Sequence, residues 1–157
     1  PVIRKEEAAV VTAQIQKTLD QGGTLVCGGN RTGAFVAPTV ILTPKTADIA
    51  KDMEVFGPVF PLIPFETEQE AVEIANQTCY GLSSGVMTAD MGKAVRTAMQ
   101  LQTGACILGG SGNYRLAHQP FGGYKLSGLG REGAVSTLEE MTQQKTISLK
   151  GILNGGL

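Results

Sequence analysis

The sequence lacks most of the signals that mark whole classes of protein. Its formal net charge is −1 over 157 residues, so no excess of positive charge favours a polyanion such as nucleic acid. No apolar run approaches the roughly 18 residues that a membrane-spanning helix needs. The opening residues, PVIRKEEAAV, are polar and do not form a signal peptide. They also lack an initiator Met, which suggests a piece of a longer chain. We expect neither nucleic acid nor a membrane as partner.

Cysteine and histidine are scarce as well. The three cysteines, Cys27, Cys79 and Cys106, are odd in number and contain no C-x-x-C pair. A disulfide framework or a zinc site is therefore not expected, and a reducing cytoplasm is the compartment that fits. His118 is the only histidine. A hydrogen-bonded or solvated side chain is the simplest interpretation of a single histidine in a glycine-rich stretch.

The apolar residues that the sequence does contain, 42% of the total, are enough for the core of one domain or of part of a larger one. Val11, Ile15 and Leu19 lie four apart and predict an amphipathic helix over residues 6–21, which the glycine pair after it ends. Extended segments are predicted at 24–29, 35–42, 59–65, 83–89 and 104–108. Prolines in the third of them predict an edge strand or an irregular one.

Two further helices are predicted between the later extended segments. Thr67 and Glu70 form a capping box, which predicts a helix over 68–77. Asp90 is the predicted N-cap of the next helix. The predicted buried faces are Ala71, Ile74 and Ala75 in the first helix and Ala94, Val95, Ala98 and Met99 in the second. This alternation of strand and helix predicts an α/β fold with a mostly parallel sheet flanked by helices.

Residues 109–131 are rich in glycine and have almost no period, which predicts a long loop of the kind that is often functional. Within SGLGREG, Gly128, Gly130 and Gly133 have the spacing of a dinucleotide-binding fingerprint. That fingerprint needs a buried strand before it and an acidic residue about twenty residues after it, and this sequence offers neither. The glycines are therefore interpreted as shaping a loop. A short helix over 132–141 and a β-rich tail follow.

Two motifs carry a family resemblance: EVFGPV at 54–59 and PFGGYKLSGLGREG at 120–133. In this order they resemble the two C-terminal signatures of the NAD(P)-dependent aldehyde dehydrogenase superfamily. ANQTCYGLSSGVMTAD between them and KTISLKGI at the end are also similar to that family. The resemblance implies a C-terminal part of the catalytic domain at 1–144 and, at 145–157, an oligomerisation-type strand and tail that joins a neighbouring subunit.

The same resemblance implies an oxidoreductase that converts an aldehyde to a carboxylic acid with NAD or NADP. In such enzymes a cysteine thiolate attacks the aldehyde, hydride passes to the cofactor, and water activated by a glutamate releases the acid. The resemblance places the nucleophilic cysteine, the general base and most of the nucleotide-binding fold outside this chain. We therefore expect the chain to be inactive by itself and to belong to a homo-oligomer.

Cofactor-binding residues are implied by the first motif. At the position of Glu54, the family's glutamate holds the nicotinamide ribose, and a carboxylate suits two vicinal hydroxyls. Phe56 is implied to pack near the nicotinamide ring. Because the two residues are two apart on an extended segment, we expect them on one side of it. The alternatives are a solvated glutamate and a core phenylalanine.

Substrate-binding residues are implied by the second motif. Phe121 is similar to a residue that lines the aldehyde pocket, or it only anchors the loop. Arg115 stands where many members have an aromatic residue of the substrate tunnel, and a guanidinium there suits an anionic group. We expect a small aldehyde with an anionic tail, such as a semialdehyde; an arginine paired with a local acid is the alternative. Glu132 either belongs to a proton path or favours a helix dipole, and His118 could line the tunnel.

Two other functions remain open from the residues alone. Cys106 and His118 could form a thiol dyad of the hydrolase type, although no third group that would orient the histidine is evident. The chain could also be a non-catalytic module for oligomerisation or interaction, because an unpaired strand at the end of a chain favours association.

Overall fold

A computed structural model describes residues 1–151. The helices are α1 at Lys5–Asp20, α2 at Glu68–Asn76, α3 at Met91–Gln100 and α4 at Ala134–Glu140, with a 3-10 turn at Asp48–Ala50. The strands are β1 at Thr24–Cys27, β2 at Arg31–Thr32, β3 at Phe35–Val36, β4 at Thr39–Leu42, β5 at Val59–Leu62, β6 at Tyr80–Gly81, β7 at Ser83–Val86, β8 at Ala105–Leu108 and β9 at Tyr124–Lys125. This is an α/β architecture, as the sequence predicts.

Helix α1 provides one wall of the core. Its apolar residues at helical spacing, among them Ala8, Val11 and Ile15, are buried against Val36 and Ile41. Leu19 is half-buried against the same cluster. The helix ends at Asp20, and Gly22 takes a φ of 94°, a backbone conformation that glycine adopts without steric cost. The prediction of this helix from its period is confirmed.

A three-stranded sheet, β1–β4–β5, packs on α1. Its middle strand β4 is antiparallel to β1 and parallel to β5. Successive residues of β4 point to opposite faces, so Thr39 and Ile41 are buried while Leu42 remains 45% exposed. Pro61 lies in β5 at the edge of the sheet, where the missing N–H of proline is tolerated, as predicted.

The prediction of a mostly parallel sheet is wrong in its detail. The described strands form four small sheets in which β4–β5 and β7–β8 are parallel, whereas β1–β4, β2–β3 and β6–β9 are antiparallel. β2 and β3 form a hairpin joined by two residues, too short for the crossover that a parallel pair requires. β9 pairs with β6 although α3, β7 and β8 lie between them in the sequence, so this pairing depends on the tertiary fold and not on a local turn. In the turn between β1 and β2, Gly28 and Gly29 have φ values of 81° and 85°.

Helices α2 and α3 begin at their predicted caps. The Thr67 hydroxyl accepts the N–H of Glu70 at 3.1 Å, and an Asp90 carboxylate oxygen accepts the N–H of Lys93 at 2.9 Å. The Glu70 carboxylate reaches back beyond the N-cap and accepts the N–H of Glu66 at 2.8 Å. Each cap satisfies N–H groups that have no partner inside the helix.

The predicted buried faces of these helices are only partly right. In α2 the buried residue is Val72, and Ala75 is exposed. In α3 only Ala94 is buried; Val95 is 44% and Met99 82% exposed. The period correctly identifies an apolar stripe on α3, but β7, β8 and α2 cover only the part of the helix around Ala94.

The C-terminal third is mostly loop. Between β8 and α4 the described chain contains the two-residue strand β9 and a single bridge that pairs Phe121 with Glu132. Residues 142–150 lie in neither a helix nor a strand. The predicted strand and tail at 145–157 therefore has no strand within 145–151, and its remainder lies outside the described residues. Pairing of this segment with a neighbouring subunit stays a prediction. None of the helices within residues 1–151 is long and apolar enough to cross a membrane.

Ile41→Ala should destabilise the fold strongly. Ile41 is 0% exposed in the middle strand against α1, and removal of its side chain leaves a cavity that close-packed neighbours fill only in part. We expect the free energy of unfolding to fall by about 2–4 kcal/mol, measured by urea denaturation followed by circular dichroism. The adjacent Leu42→Ala, on the exposed side of β4, is the control and should cost less than half as much.

Acid should weaken the start of α2. The N–H of Glu66 and then the Lys45 ammonium hold the pKa of Glu70 below its ordinary value of 4.5. A carboxyl with a lowered folded-state pKa contributes stability that is present above its unfolded pKa and is lost as pH falls through the folded value. Glu70→Gln should therefore flatten the fall of unfolding free energy below about pH 4.5. An unchanged slope in urea titrations at several pH values would contradict this assignment.

Candidate functional site

The segment that carries the first motif presents two side chains to solvent. Glu54 is exposed, and Phe56 is 78% exposed. Between them Val55 is half-buried and packs against the core cluster of α1 and β4. Successive side chains of extended backbone point in opposite directions. Glu54 and Phe56 therefore share the outward side of this segment, which matches the placement expected from the sequence.

Contacts with α1 and β4 hold the backbone of this segment. Gln14 Nε2 donates to the Glu54 carbonyl at 2.9 Å. Gly57 packs on α1 so closely that a Cβ there would lie 2.9 Å from both methyl groups of Val11. On the other side, the N–H of Thr39 donates to the Pro58 carbonyl at 2.8 Å. The segment is therefore anchored on the core, although it belongs to no helix or strand.

Asp52 ties this segment to the turn after α2. Its carboxylate accepts the N–H of Cys79 at 2.7 Å, and this hydrogen bond lowers the pKa of the aspartate. Burial, and then the Asp52 carboxylate, raise the pKa of the Cys79 thiol, so the protonated form is favoured. The charge of a Cys79 thiolate, then burial and the Glu54 carboxylate, raise the pKa of Tyr80.

Lys125 ties the second motif to the same turn. Its ammonium donates to the carbonyls of Asn76 at 2.7 Å and Thr78 at 2.9 Å, at the C-terminal end of α2. A lysine there caps unpaired carbonyls and suits the helix dipole. Lys125 pairs with Tyr80 between β9 and β6 and has a φ of 53°, which is rare for a residue other than glycine. Both motifs are therefore joined at residues 76–81.

Arg115, Phe121 and Glu132 form one cluster on the long loop. Arg115 Nη1 donates to Glu132 Oε1 at 2.7 Å, and the guanidinium carbon lies 4.2 Å from the centre of the Phe121 ring. The backbones of Phe121 and Glu132 exchange two hydrogen bonds, at 2.8 and 2.7 Å. The alternative of an arginine paired with a local acid is therefore present in the structure.

Two neighbouring cavities flank this cluster. One of about 380 Å³ is lined by Leu82, Ser83, Gly112, Asn113, Arg115 and Phe121. The other, of about 360 Å³, shares Leu82 and Phe121 with the first and includes Glu132 in its wall. Glu54 and Phe56 line neither cavity. The structure therefore brings Arg115 and Phe121 together beside one cavity and places the other predicted pair on open surface.

The glycines of the second motif allow close packing of the loop. A Cβ on Gly104 would overlap the carbonyl of Gly122, and a Cβ on Gly123 would overlap Ser127. The three fingerprint glycines all have positive φ and lie between β9 and α4, in a loop and not after a buried parallel strand. Their interpretation as loop-shaping residues agrees with this geometry.

The thiol dyad gains no support. Cys106 is half-buried within β8, and His118 is exposed on the loop that follows. No hydrogen bond joins the two side chains within residues 1–151.

The sequence alone does not identify Asp52 and Lys125 as site residues, because their hydrogen-bond partners lie 27 to 49 residues away along the chain. The only indication of Lys125 in the sequence is its position within the glycine-rich loop.

Comparison with curated proteins finds aldehyde dehydrogenases. A lactaldehyde dehydrogenase of Methanococcus maripaludis (strain C5 / ATCC BAA-1333) is 41% identical over 152 residues, which make up 97% of this chain and 32% of that protein. A betaine aldehyde dehydrogenase of Cereibacter sphaeroides (strain ATCC 17029 / ATH 2.4.9) is 42% identical over 150 residues, 94% of this chain and 31% of that protein. The chain spans about a third of the length of these curated relatives.

Solved structures give the same result. Aldehyde dehydrogenase 21 from Physcomitrella patens, in complex with the reaction product succinate, matches with a TM-score of 0.91 and 37% identity over 100% of this chain and 32% of that chain. The glyceraldehyde-3-phosphate dehydrogenase GapN from Methanocaldococcus jannaschii DSM 2661, complexed with NADP, matches with a TM-score of 0.88 and 40% identity over 94% of this chain and 32% of that chain. The profile of the Aldehyde dehydrogenase family matches residues 1–147. By sequence and by fold, this chain belongs to the aldehyde dehydrogenase family.

Proposed function

We propose that the chain forms the C-terminal portion of the catalytic domain of an NAD(P)-dependent aldehyde dehydrogenase, with Glu54 and Phe56 as its contacts to the cofactor. The observation that carries this proposal is the shared outward side of these two residues on a segment that α1 and β4 anchor. A carboxylate beside an exposed aromatic ring, on a backbone that does not need to reorganise, suits a ribose and a flat heteroaromatic ring.

The cofactor, when bound, accepts the hydride removed from the aldehyde. This chain contributes binding and orientation. The Glu54 carboxylate would hold the ribose through its hydroxyls, and the Phe56 ring would limit the movement of the nicotinamide. GapN is described in complex with NADP; for this protein the choice between NAD and NADP belongs to the nucleotide-binding fold, which we place elsewhere in the enzyme.

The aldehyde enters beside Arg115 and Phe121. Phe121 supplies an apolar wall, and the Arg115 guanidinium binds an anionic tail on the substrate, such as that of a semialdehyde. The complex of aldehyde dehydrogenase 21 with succinate, a dicarboxylate, supports this class of substrate. The names of other relatives include lactaldehyde, which is neutral, and betaine aldehyde, which is a cation. Membership of the family therefore does not determine the charge of the substrate, and residues such as Arg115 select it.

The nucleophile and the general base are assigned to parts of the enzyme outside this chain. The cavity beside Arg115 and Phe121 is lined by no cysteine. An apolar surface on the three-stranded sheet, where Leu42, Phe60 and Leu62 are 45, 58 and 51% exposed, also supports a part of a larger fold, since exposed apolar patches mark interfaces. By the same proposal the enzyme is a cytoplasmic homo-oligomer joined through residues 145–157, and the isolated chain does not oxidise aldehydes.

Glu54→Gln in the complete enzyme should weaken use of the cofactor. The amide keeps the size of the side chain but loses the charge that strengthens hydrogen bonds to the ribose, a loss of roughly 1–2 kcal/mol. We expect kcat/KM for NAD(P)⁺ to fall about 10-fold, with little change in KM for the aldehyde. Glu6→Gln, on the exposed surface of α1, is the matched control. An unchanged cofactor kcat/KM in the Glu54 variant would reject the assignment.

Arg115→Leu should change substrate selection by charge. Loss of the guanidinium removes attraction for an anionic tail but not for an uncharged aldehyde. KM for an acidic aldehyde should rise about 10-fold or more, whereas KM for a neutral aldehyde of similar length should change far less. Steady-state kinetics with the two aldehydes test this, with Arg31→Leu as a control at a distant exposed arginine. Equal effects on both aldehydes would remove Arg115 from the substrate site.

A further inference from the structure

The salt bridge between Arg115 and Glu132 has a consequence for substrate charge. If Arg115 is the group that meets an anionic substrate, as the proposed function states, that group already has an anionic partner in this structure. The Nη1 to Oε1 distance of 2.7 Å is that of a charge-assisted hydrogen bond. A substrate carboxylate would therefore compete with the Glu132 carboxylate for the same guanidinium.

The backbone holds Glu132 in the position from which it competes. The reciprocal hydrogen bonds between Phe121 and Glu132, at 2.8 and 2.7 Å, lock the two residues side by side. The Phe121 ring lies under the guanidinium, with 4.2 Å between the guanidinium carbon and the ring centre. The ring and the carboxylate thus contact Arg115 from two directions, and the backbone sets the distance between them.

Because both side chains are partly exposed, the ion pair between Arg115 and Glu132 can open. The side chains of Arg115 and Glu132 are 39% and 62% exposed. Ion pairs with this much solvent contact are weak, because water and salt screen the charges and each side chain gains freedom when the pair opens. A substrate anion can therefore displace the Glu132 carboxylate from the Arg115 guanidinium. The competition lowers the affinity of Arg115 for that anion without abolishing it.

The two charged side chains line different cavities. Arg115 lines the cavity of about 380 Å³, Glu132 lines the cavity of about 360 Å³, and Leu82 and Phe121 belong to both. A positive and a negative group thus lie beside the two apolar residues, Leu82 and Phe121, that the cavities share. Each charge, once its partner is neutralised, would be free to attract a substrate tail of opposite sign.

We propose that Glu132 is a specificity-determining residue that competes with anionic substrates for Arg115. The Arg115–Glu132 pair then sets the charge preference of the enzyme. With both residues present the preference for anionic over neutral aldehydes is moderate. Without Glu132 it increases, and without Arg115 it reverses toward cationic aldehydes.

The test compares three aldehydes of different charge in the complete enzyme: succinate semialdehyde as the anion, propanal as the neutral reference and betaine aldehyde as the cation. Glu132→Gln should lower KM for succinate semialdehyde relative to propanal by about 2- to 5-fold, the range expected for loss of an exposed ion pair. Arg115→Gln should raise that ratio and lower KM for betaine aldehyde relative to propanal. Any effect of Glu132 on a proton path would change kcat for all three aldehydes together and would cancel in the ratios.

The double variant separates competition from a general structural effect. If Glu132 acts mainly through Arg115, Glu132→Gln should shift the ratio for succinate semialdehyde much less in the Arg115→Gln background, where only the direct repulsion between Glu132 and the anion is lost, than in the unmodified enzyme, where the guanidinium is also freed. Glu132→Asp keeps the charge but shortens the side chain, so it should shift the ratio in the same direction as Glu132→Gln and by less. Thermal melts of each variant show whether it is folded.

The outcomes distinguish this inference from the function on which it rests. An unchanged ratio in Glu132→Gln, together with a shifted ratio in Arg115→Gln, would overturn the competition and keep Arg115 as the anion contact. An unchanged ratio in Arg115→Gln would overturn the proposed anion contact itself. Equal shifts from Glu132→Gln with and without Arg115 would show that Glu132 acts independently of Arg115 and would also reject the inference.

Discussion

The candidate site depends on the turn after α2, because the segment that leads into the first motif and the second motif itself are both hydrogen-bonded to it. The Asp52 carboxylate accepts the N–H of Cys79, and the Lys125 ammonium donates to carbonyls at residues 76 and 78. The N–H of Leu126 also donates to the Cys79 carbonyl at 2.9 Å. Among residues 1–151, the buried hydrophobic cluster lies on α1, β3 and β4 and includes neither the turn at 76–81 nor β9. Hydrogen bonds between polar groups therefore place the segment before Glu54 and the glycine-rich loop relative to each other.

The two halves of the site are supported differently. Glu54 and Phe56 extend from backbone that packs on α1, where Gly57 leaves no room for a side chain beside Val11. Such a surface needs little ordering when a ligand binds. Arg115 and Phe121 lie instead on a loop that hydrogen bonds and glycine contacts hold in place. Under the proposed function, a cofactor contact anchored on the core and a substrate contact on a loop agree with the different aldehydes in the relatives' names.

The charge of Arg115 is balanced locally. Arg115 is paired with Glu132 and stacked on Phe121, so its positive charge is already partly compensated. In water-exposed surroundings such compensation is weak, and it modulates affinity by small factors. The names of the relatives cover aldehydes of different charge. Under the proposed function, one ion pair on the loop of this chain would shift the preference between such aldehydes without a change of fold.

The sequence by itself determined the helices, their caps, the edge position of Pro61, the family and the outward side that Glu54 and Phe56 share. The helices, the caps and the outward side depend on period, capping chemistry and alternation, which act over a few residues, whereas the family was indicated by the resemblance that two motifs carry. Only the tertiary structure decided the mixed strand pairing, the exposure of Val95 and Met99, the roles of Asp52 and Lys125, and the pairing of Arg115 with Glu132. Each of these features depends on contacts between residues that are distant in the sequence. A local sequence pattern does not indicate which distant residue will make the contact.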